Sequence, residues 1–300
     1  MINFRYHLVS LIAVFLALAV GVVLGAGPLQ NAITAHEQGS DGGTSIETLQ
    51  HEVAYARAEG QAGQDFARAV ADQVLPESLS DQQVAVIVLP DASPADVDAT
   101  TEMLELAGAE VLGPVNLNEN FVSPDENTYR ETLASPVSAH LAQRPSDPSA
   151  AAVLGAGLVE ALTLDTAESD LVRDLLTDEA TPLVEADSLP TQAATALVLI
   201  GAGPTDVTAD KDEVAPLTQQ AWLGLAEALA ASGKHAVAVG QASQPEELIA
   251  VLRAAATPLS TADQGGTSMG GLNAALVLVS GVEGAFGTQS DATQVLAPLP

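Results

Sequence analysis

The chain has 300 residues, enough for one large domain or two modest ones; with 47% hydrophobic and 16% charged residues it can bury a sizeable core and is no disordered polyanion. Its 39 acids face nine bases, a net charge of −30, which leaves no clustered Lys and Arg for nucleic-acid phosphates and disfavours an anionic lipid surface as partner of the main body. The absence of cysteine excludes thiolate catalysis, Cys-type zinc sites and disulfides.

The first element is a membrane span over residues 8–27, LVSLIAVFLALAVGVVLGAG, which carries no ionisable side chain. At 1.5 Å per residue a helix of that length crosses the roughly 30 Å hydrocarbon layer. Arg5 precedes it and an acidic chain follows, so the positive-inside rule leaves residues 1–7 as a cytoplasmic stub and exports the rest. The run is longer than the apolar region of a cleaved signal, which favours an uncleaved anchor. Gly21 and Gly25 form a GxxxG step, which serves helix pairing or plain packing against lipid equally well.

Residues 28–45 read as a linker, with the hinge composition GSDGGTS at 39–45. A helix is expected over 46–75. Ile46, Leu49, Val53, Ala56, Gly60, Gly63, Ala67, Val70 and Val74 recur at spacings of three and four, a heptad seam that Pro76 closes. Gly60 and Gly63 each weaken the helix by about 1 kcal/mol relative to alanine and also permit close approach of another helix. Two readings stand side by side: a partner-binding helix that pairs with a copy of itself or with another protein, and a helix lying on its own body.

The body, residues 80–300, reads as α/β. Residues 84–89, VAVIVL, form an apolar strand leading to Ser93, Pro94 and Asp96, an S-x-x-D capping box before a helix that Gly108 ends; a strand over 110–113 follows. The stretch 115–129 reads as a polar, acidic loop. Helices are expected over 154–164 and 171–176, the strongest central strand over 195–200, and an amphipathic helix over 217–231 with Trp222, Leu225 and Leu229 facing inward. A strand over 236–239, a second capping box from Ser243 to Glu246, a helix after it and a strand around Leu259 complete the pattern. Uniformly apolar strands alternating with helices predict a mostly parallel, Rossmann-like sheet with helices on both faces.

Catalytic patterns are absent. Gly201-Ala-Gly203 follows a strand but lacks the third glycine and a helix start, Glu160 stands where the third glycine of Gly155-Ala-Gly157 belongs, and no GxxxxGK[ST] or G-x-S-x-G occurs. The glycine-rich stretch 265–271 reads as a hinge before an apolar helix near 272–279. His7, His36, His51, His140 and His235 are scattered, and the acid pairs Asp125-Glu126, Asp178-Glu179 and Glu246-Glu247 read as solvated charge. Met1, Met103 and Met269 form no cluster for a soft metal, and Met103 reads as core.

The opening MINFRYHLVSLIAVFLALAVGVVLGAGPL, in which Asn3-Phe-Arg-Tyr-His7 joins directly to a glycine-ended apolar helix, resembles the start of the actinobacterial copper transporter MctB family, which also holds SteB-like cell-separation proteins. The order of parts is similar too: anchor, coiled segment, α/β body and a glycine-bearing C-terminal helix near 281–287. The resemblance implies either an envelope pore limiting copper accumulation or a scaffold. The scaffold would control cell separation with a SteA-like membrane protein and a RipA-type peptidoglycan hydrolase. It implies no catalytic residue, and copper enters only through it. A β-barrel pore needs many alternating strands of about ten residues, and this chain has short buried ones. The expectation is therefore a non-enzymatic, single-pass envelope scaffold without cofactor, with copper transport as the alternative and a degenerate nucleotide-binding enzyme as a third class resting on fold alone.

Overall fold

The computed structural model describes residues 41–90, 92–201 and 215–300. The expected span 8–27 lies outside them; among the described residues no helix is long and apolar enough to cross a membrane. The chain divides into two compact units, one ending at Ala62 and the other running from Gly63 to Pro300. The boundary falls inside the first described helix, α1 (Asp41–Val74). This helix starts within the stretch expected as a hinge. It ends before Pro76 as the sequence predicts.

Among the described residues six strands form one sheet: β1 (Gln83–Val88), β2 (Glu110–Asn116), β3 (Ala196–Ile200), β4 (His235–Val239), β5 (Ser260–Ala262) and β6 (Ala285–Phe286). All neighbours are parallel, in the order β2-β1-β3-β4-β5-β6. The parallel sheet covered on both faces is as expected. Its order is that of flavodoxin-like sheets through the first five strands, with the switch point between β1 and β3, and departs from the Rossmann order. The β1–β2 register slips between Ala85 and Ile87, opposite Gly113-Pro114. Proline has no N–H to give a ladder and is tolerated because β2 is an edge strand.

The strands are apolar throughout because each face meets helices. Val84, Val86, Val198, Val237 and Val239 pack beneath α2 (Pro94–Leu106), α8 (Ser268–Ser280) and the last turns of α1. Ala85, Ile87, Leu197, Leu199 and Ala238 pack beneath α3 (Asn127–His140), α4 (Ala150–Thr163), α5 (Ala167–Leu176), α6 (Ala215–Ala231) and α7 (Leu248–Ala254). Trp222, Leu225 and Leu229 face this second layer, as predicted. The crossovers β3–α6–β4 and β4–α7–β5 use one face; β5–α8–β6 moves the same way along the sheet over the other face. The last crossover therefore has the opposite hand, against the strong preference for right-handed units.

Several local expectations are corrected. The second strand runs on to Asn116, and the loop expected over 115–129 holds its last residues, two short 3-10 turns and the start of α3. Ser93 does cap α2, accepting from Ala95 N at 3.3 Å, but Asp96 is buried against the loop after β5 and closes no capping box. Before α7 the carboxylate that folds back is Glu247, not Glu246. It accepts from Ser243 N at 2.6 Å and Gln244 N at 3.0 Å, so the helix begins only at Leu248. Residues 281–287 are not a helix: Gly281, at φ +64°, ends α8, and β6 follows.

Candidate functional site

The nine seam residues do not share one environment. Leu49 and Val53 are 59% and 48% exposed. Ala56, Gly60 and Gly63 are exposed as well. Ala67 is buried, and Val70 and Val74 pack with it against the core beneath α2 and α8, joined by Ala71 and Leu75 from the neighbouring row. The side chain of Ile46 lies outside the described residues. Arg68 ties this end of α1 to α2 through Glu102, and Gln64 Oε1 accepts from Ser268 N at 2.7 Å. The reading of a helix lying on its own body thus applies to part of the seam. Its C-terminal turns lie on the chain's own body. Its earlier turns leave branched apolar side chains in water, with glycines whose added Cβ would meet nothing within 4 Å.

Polar groups concentrate at the carboxyl edge of the sheet, where doubly wound folds hold ligands. Asp96 is 2% exposed and its Oδ2 has no hydrogen-bond partner among the described residues. Burial pushes its pKa above the ordinary carboxylate value; the Gln241 amide opposes that and the charge of Glu247 adds to it. A Cβ on Gly265 would lie 2.5 Å from Asp96 Oδ2, so the carboxyl group packs directly on the loop after β5. At the end of β5, Asp263 is fully buried and accepts from Arg253 Nη1 at 2.9 Å, Thr288 N at 2.9 Å and Gln289 N at 3.2 Å. Arg253 also donates to Thr261 Oγ1 and Phe286 O at 3.0 Å and to Asp291 at 2.8 Å. This network joins β5, β6 and α7. The sequence motif singled out Asp96 only as a helix-capping residue, and Asp263 belongs to no motif. The available signal was an acid beside a strand end or helix start facing the Gly265-Gly266 pair.

The glycine motifs have packing explanations. A Cβ on Gly155 would fall 2.7 Å from the Gly224 carbonyl oxygen, so the pair lets α4 and α6 cross in close contact. Gly201 lies under Leu248, and Gly203 is outside the described residues. Asp125, Asp178, Glu179 and Glu246 are exposed, as solvated charge should be, whereas Glu247 is buried in the turn it closes. Met103 is core, and among the described residues no three His, Cys, Asp or Glu side chains form a metal-holding group.

Comparison with known proteins gives this arrangement its relatives. Copper transporter MctB of Mycobacterium bovis is 29% identical over 220 residues, which cover 69% of this chain and 70% of that protein. Copper transporter MctB of Mycobacterium tuberculosis H37Rv matches to the same extent. Copper transporter MctB of Mycobacterium leprae is 34% identical over 124 residues, 41% of this chain and 39% of its own. The family model described as "Copper transport outer membrane protein, MctB" matches residues 1–297, so the chain belongs to the MctB family.

Proposed function

We propose that this protein is a non-enzymatic scaffold of the cell envelope, held by the span 8–27, that recruits a helical protein partner through the exposed turns of α1. The observation that carries this reading is the divided seam: Leu49 and Val53 stand in water on the same pattern that buries Ala67 further along. Apolar side chains repeated at helical spacing favour burial against another helix, and Gly60 and Gly63 let one come close. The family resemblance supplies the partners, a SteA-like membrane protein and a RipA-type hydrolase, and cell separation as the process.

Copper handling is the second reading, favoured by the family description and the names of the relatives. The folded body supports an indirect part in it. Its short strands lie in a sheet covered on both faces, unlike the long amphipathic strands of a membrane barrel. The scaffold would then act on copper through the protein it recruits.

A deletion strain complemented with Leu49→Ser/Val53→Ser tests both. Loss of partner co-purification with wild-type protein levels, accompanied by unseparated cells, supports the scaffold in cell separation. Altered copper accumulation in the same strain places it in copper handling. Wild-type co-purification refutes the role of α1.

A further inference from the structure

Between α3 and α5 runs an open groove of about 370 Å³, within the size range of ligand sites. Its apolar lining comes from Leu133 and Pro136 of α3 and Leu171 and Leu175 of α5. Leu171 is 46% exposed on a helix that buries Val172 and Leu176 on its inward side. The polar part of the lining is Tyr129, His140, Asp174 and Asp178.

These polar groups have little to do within the fold. Among the described residues the Asp174 carboxylate, the Tyr129 hydroxyl and the His140 ring make no hydrogen bond or ion pair, and Asp178 accepts only from Ala180 N at 3.0 Å. Among the described residues no Lys or Arg lines the groove to balance the two acids. The pKa of Tyr129 is raised, first by burial and then by the charges of Asp178 and Glu126.

We propose that this groove docks a basic peptide segment of a different protein, with a Leu-, Ile- or Phe-sized side chain on the apolar lining and an adjacent Lys or Arg against Asp174 and Asp178. The charge decides among occupants. A second copy of this chain brings a net −30 and only nine bases, and an anionic lipid surface is repelled by the same two acids. An apolar anchor beside a salt-bridging cation is how a helix or extended segment is recognised in such a groove. The surface is independent of α1, no residue of which lines it.

The test is a selection of random dodecapeptides against the full-length chain in detergent, followed by affinity measurements on the peptides obtained. The expected binders pair Lys or Arg with a large apolar residue. They lose at least fivefold in affinity to Leu171→Asp and to Asp174→Lys, while binding Leu49→Ser and the equally charge-altered Asp98→Lys as they bind wild type. Trp222 fluorescence establishes that each variant is folded; should Leu171→Asp unfold, Leu171→Ser takes its place. Failure to select any binder, binders without basic residues, a smaller loss in either groove variant, or an equal loss in Asp98→Lys overturns the proposal. Failure of the α1 variant to recruit its partner would leave this result untouched.

Discussion

Replacing Asp263 by alanine isolates what the buried carboxylate network contributes. Asp263 is fully buried and the Arg253 side chain is 6% exposed, so the variant strands a cation that has little water to turn to. Breaking a buried pair by removing one partner costs about 3–5 kcal/mol. Arg253 keeps Thr261 Oγ1, Phe286 O and Asp291 as acceptors, and Thr288 and Gln289, which lose theirs, lie where water reaches them. Those two facts place the expected loss near the lower end, about 3 kcal/mol. Asp291→Ala removes the partly exposed arm of the same network, where solvent screens the charge, and costs no more than about 1 kcal/mol. Urea unfolding followed by Trp222, the sole tryptophan and a buried one, reads both losses at unchanged m-value. A loss below about 1 kcal/mol for Asp263→Ala, or equal losses for the two variants, would refute the reasoning.

Asp96 gives a pH prediction. Its folded-state pKa is raised, so the unfolded chain loses this proton first as pH rises, and the group's contribution to stability falls above the ordinary carboxylate pKa. Asp96→Asn should therefore raise the unfolding midpoint at pH 7 and lose that advantage at pH 3; a variant less stable at pH 7 contradicts this. Gly155→Ala pushes a methyl onto the backbone of α6 and should cost about 1–3 kcal/mol in the same urea assay, whereas a neutral result would mean that the helices part freely. Gly60→Ala meets open space and should raise the helix content of α1 by circular dichroism, with about 1 kcal/mol of added helix stability. Thr166→Ala breaks the capping box with Ser169 and should cost about 1 kcal/mol, checked by thermal unfolding.

The layers of this fold are legible wherever one residue class dominates a run. VAVIV and ALVLI, short and rich in Val, Ile and Leu, read as strands buried on both faces, and Trp222, Leu225 and Leu229 mark one side of a helix. Features set by distant neighbours were not legible. The spacing of Ser93 and Asp96 fits a local cap, yet Asp96 turns to a loop some 170 residues further along the chain. Helix α3 escaped notice because Pro136 lies inside it and its apolar residues are few. The seam of α1 was readable as a pattern, but the point at which it passes from exposed to buried depends on the surface beneath it. Strand order and crossover hand leave no local trace at all. The carboxyl edge of the sheet could have been suspected from acids beside paired glycines, though not the packing that closes Asp96 against the loop.

The inverted last crossover has a consequence for how the edge of the sheet is held. Helix α8 lies over β4 and β5, and the chain then turns at Gly281 and lays β6 on the sheet edge. The chain after β6 is then fastened by α8 itself: Asn273 Nδ2 donates to Val295 O at 3.0 Å and its Oδ1 accepts from Ala297 N at 2.8 Å. Residues 281–300 thus act as a clasp with one anchor at Asn273 and another at the Arg253–Asp263 pair, both on segments made earlier. During synthesis the clasp follows the strands β1 to β5 and the helices it fastens to. A chain truncated in this segment would carry a nearly complete core with its latch missing.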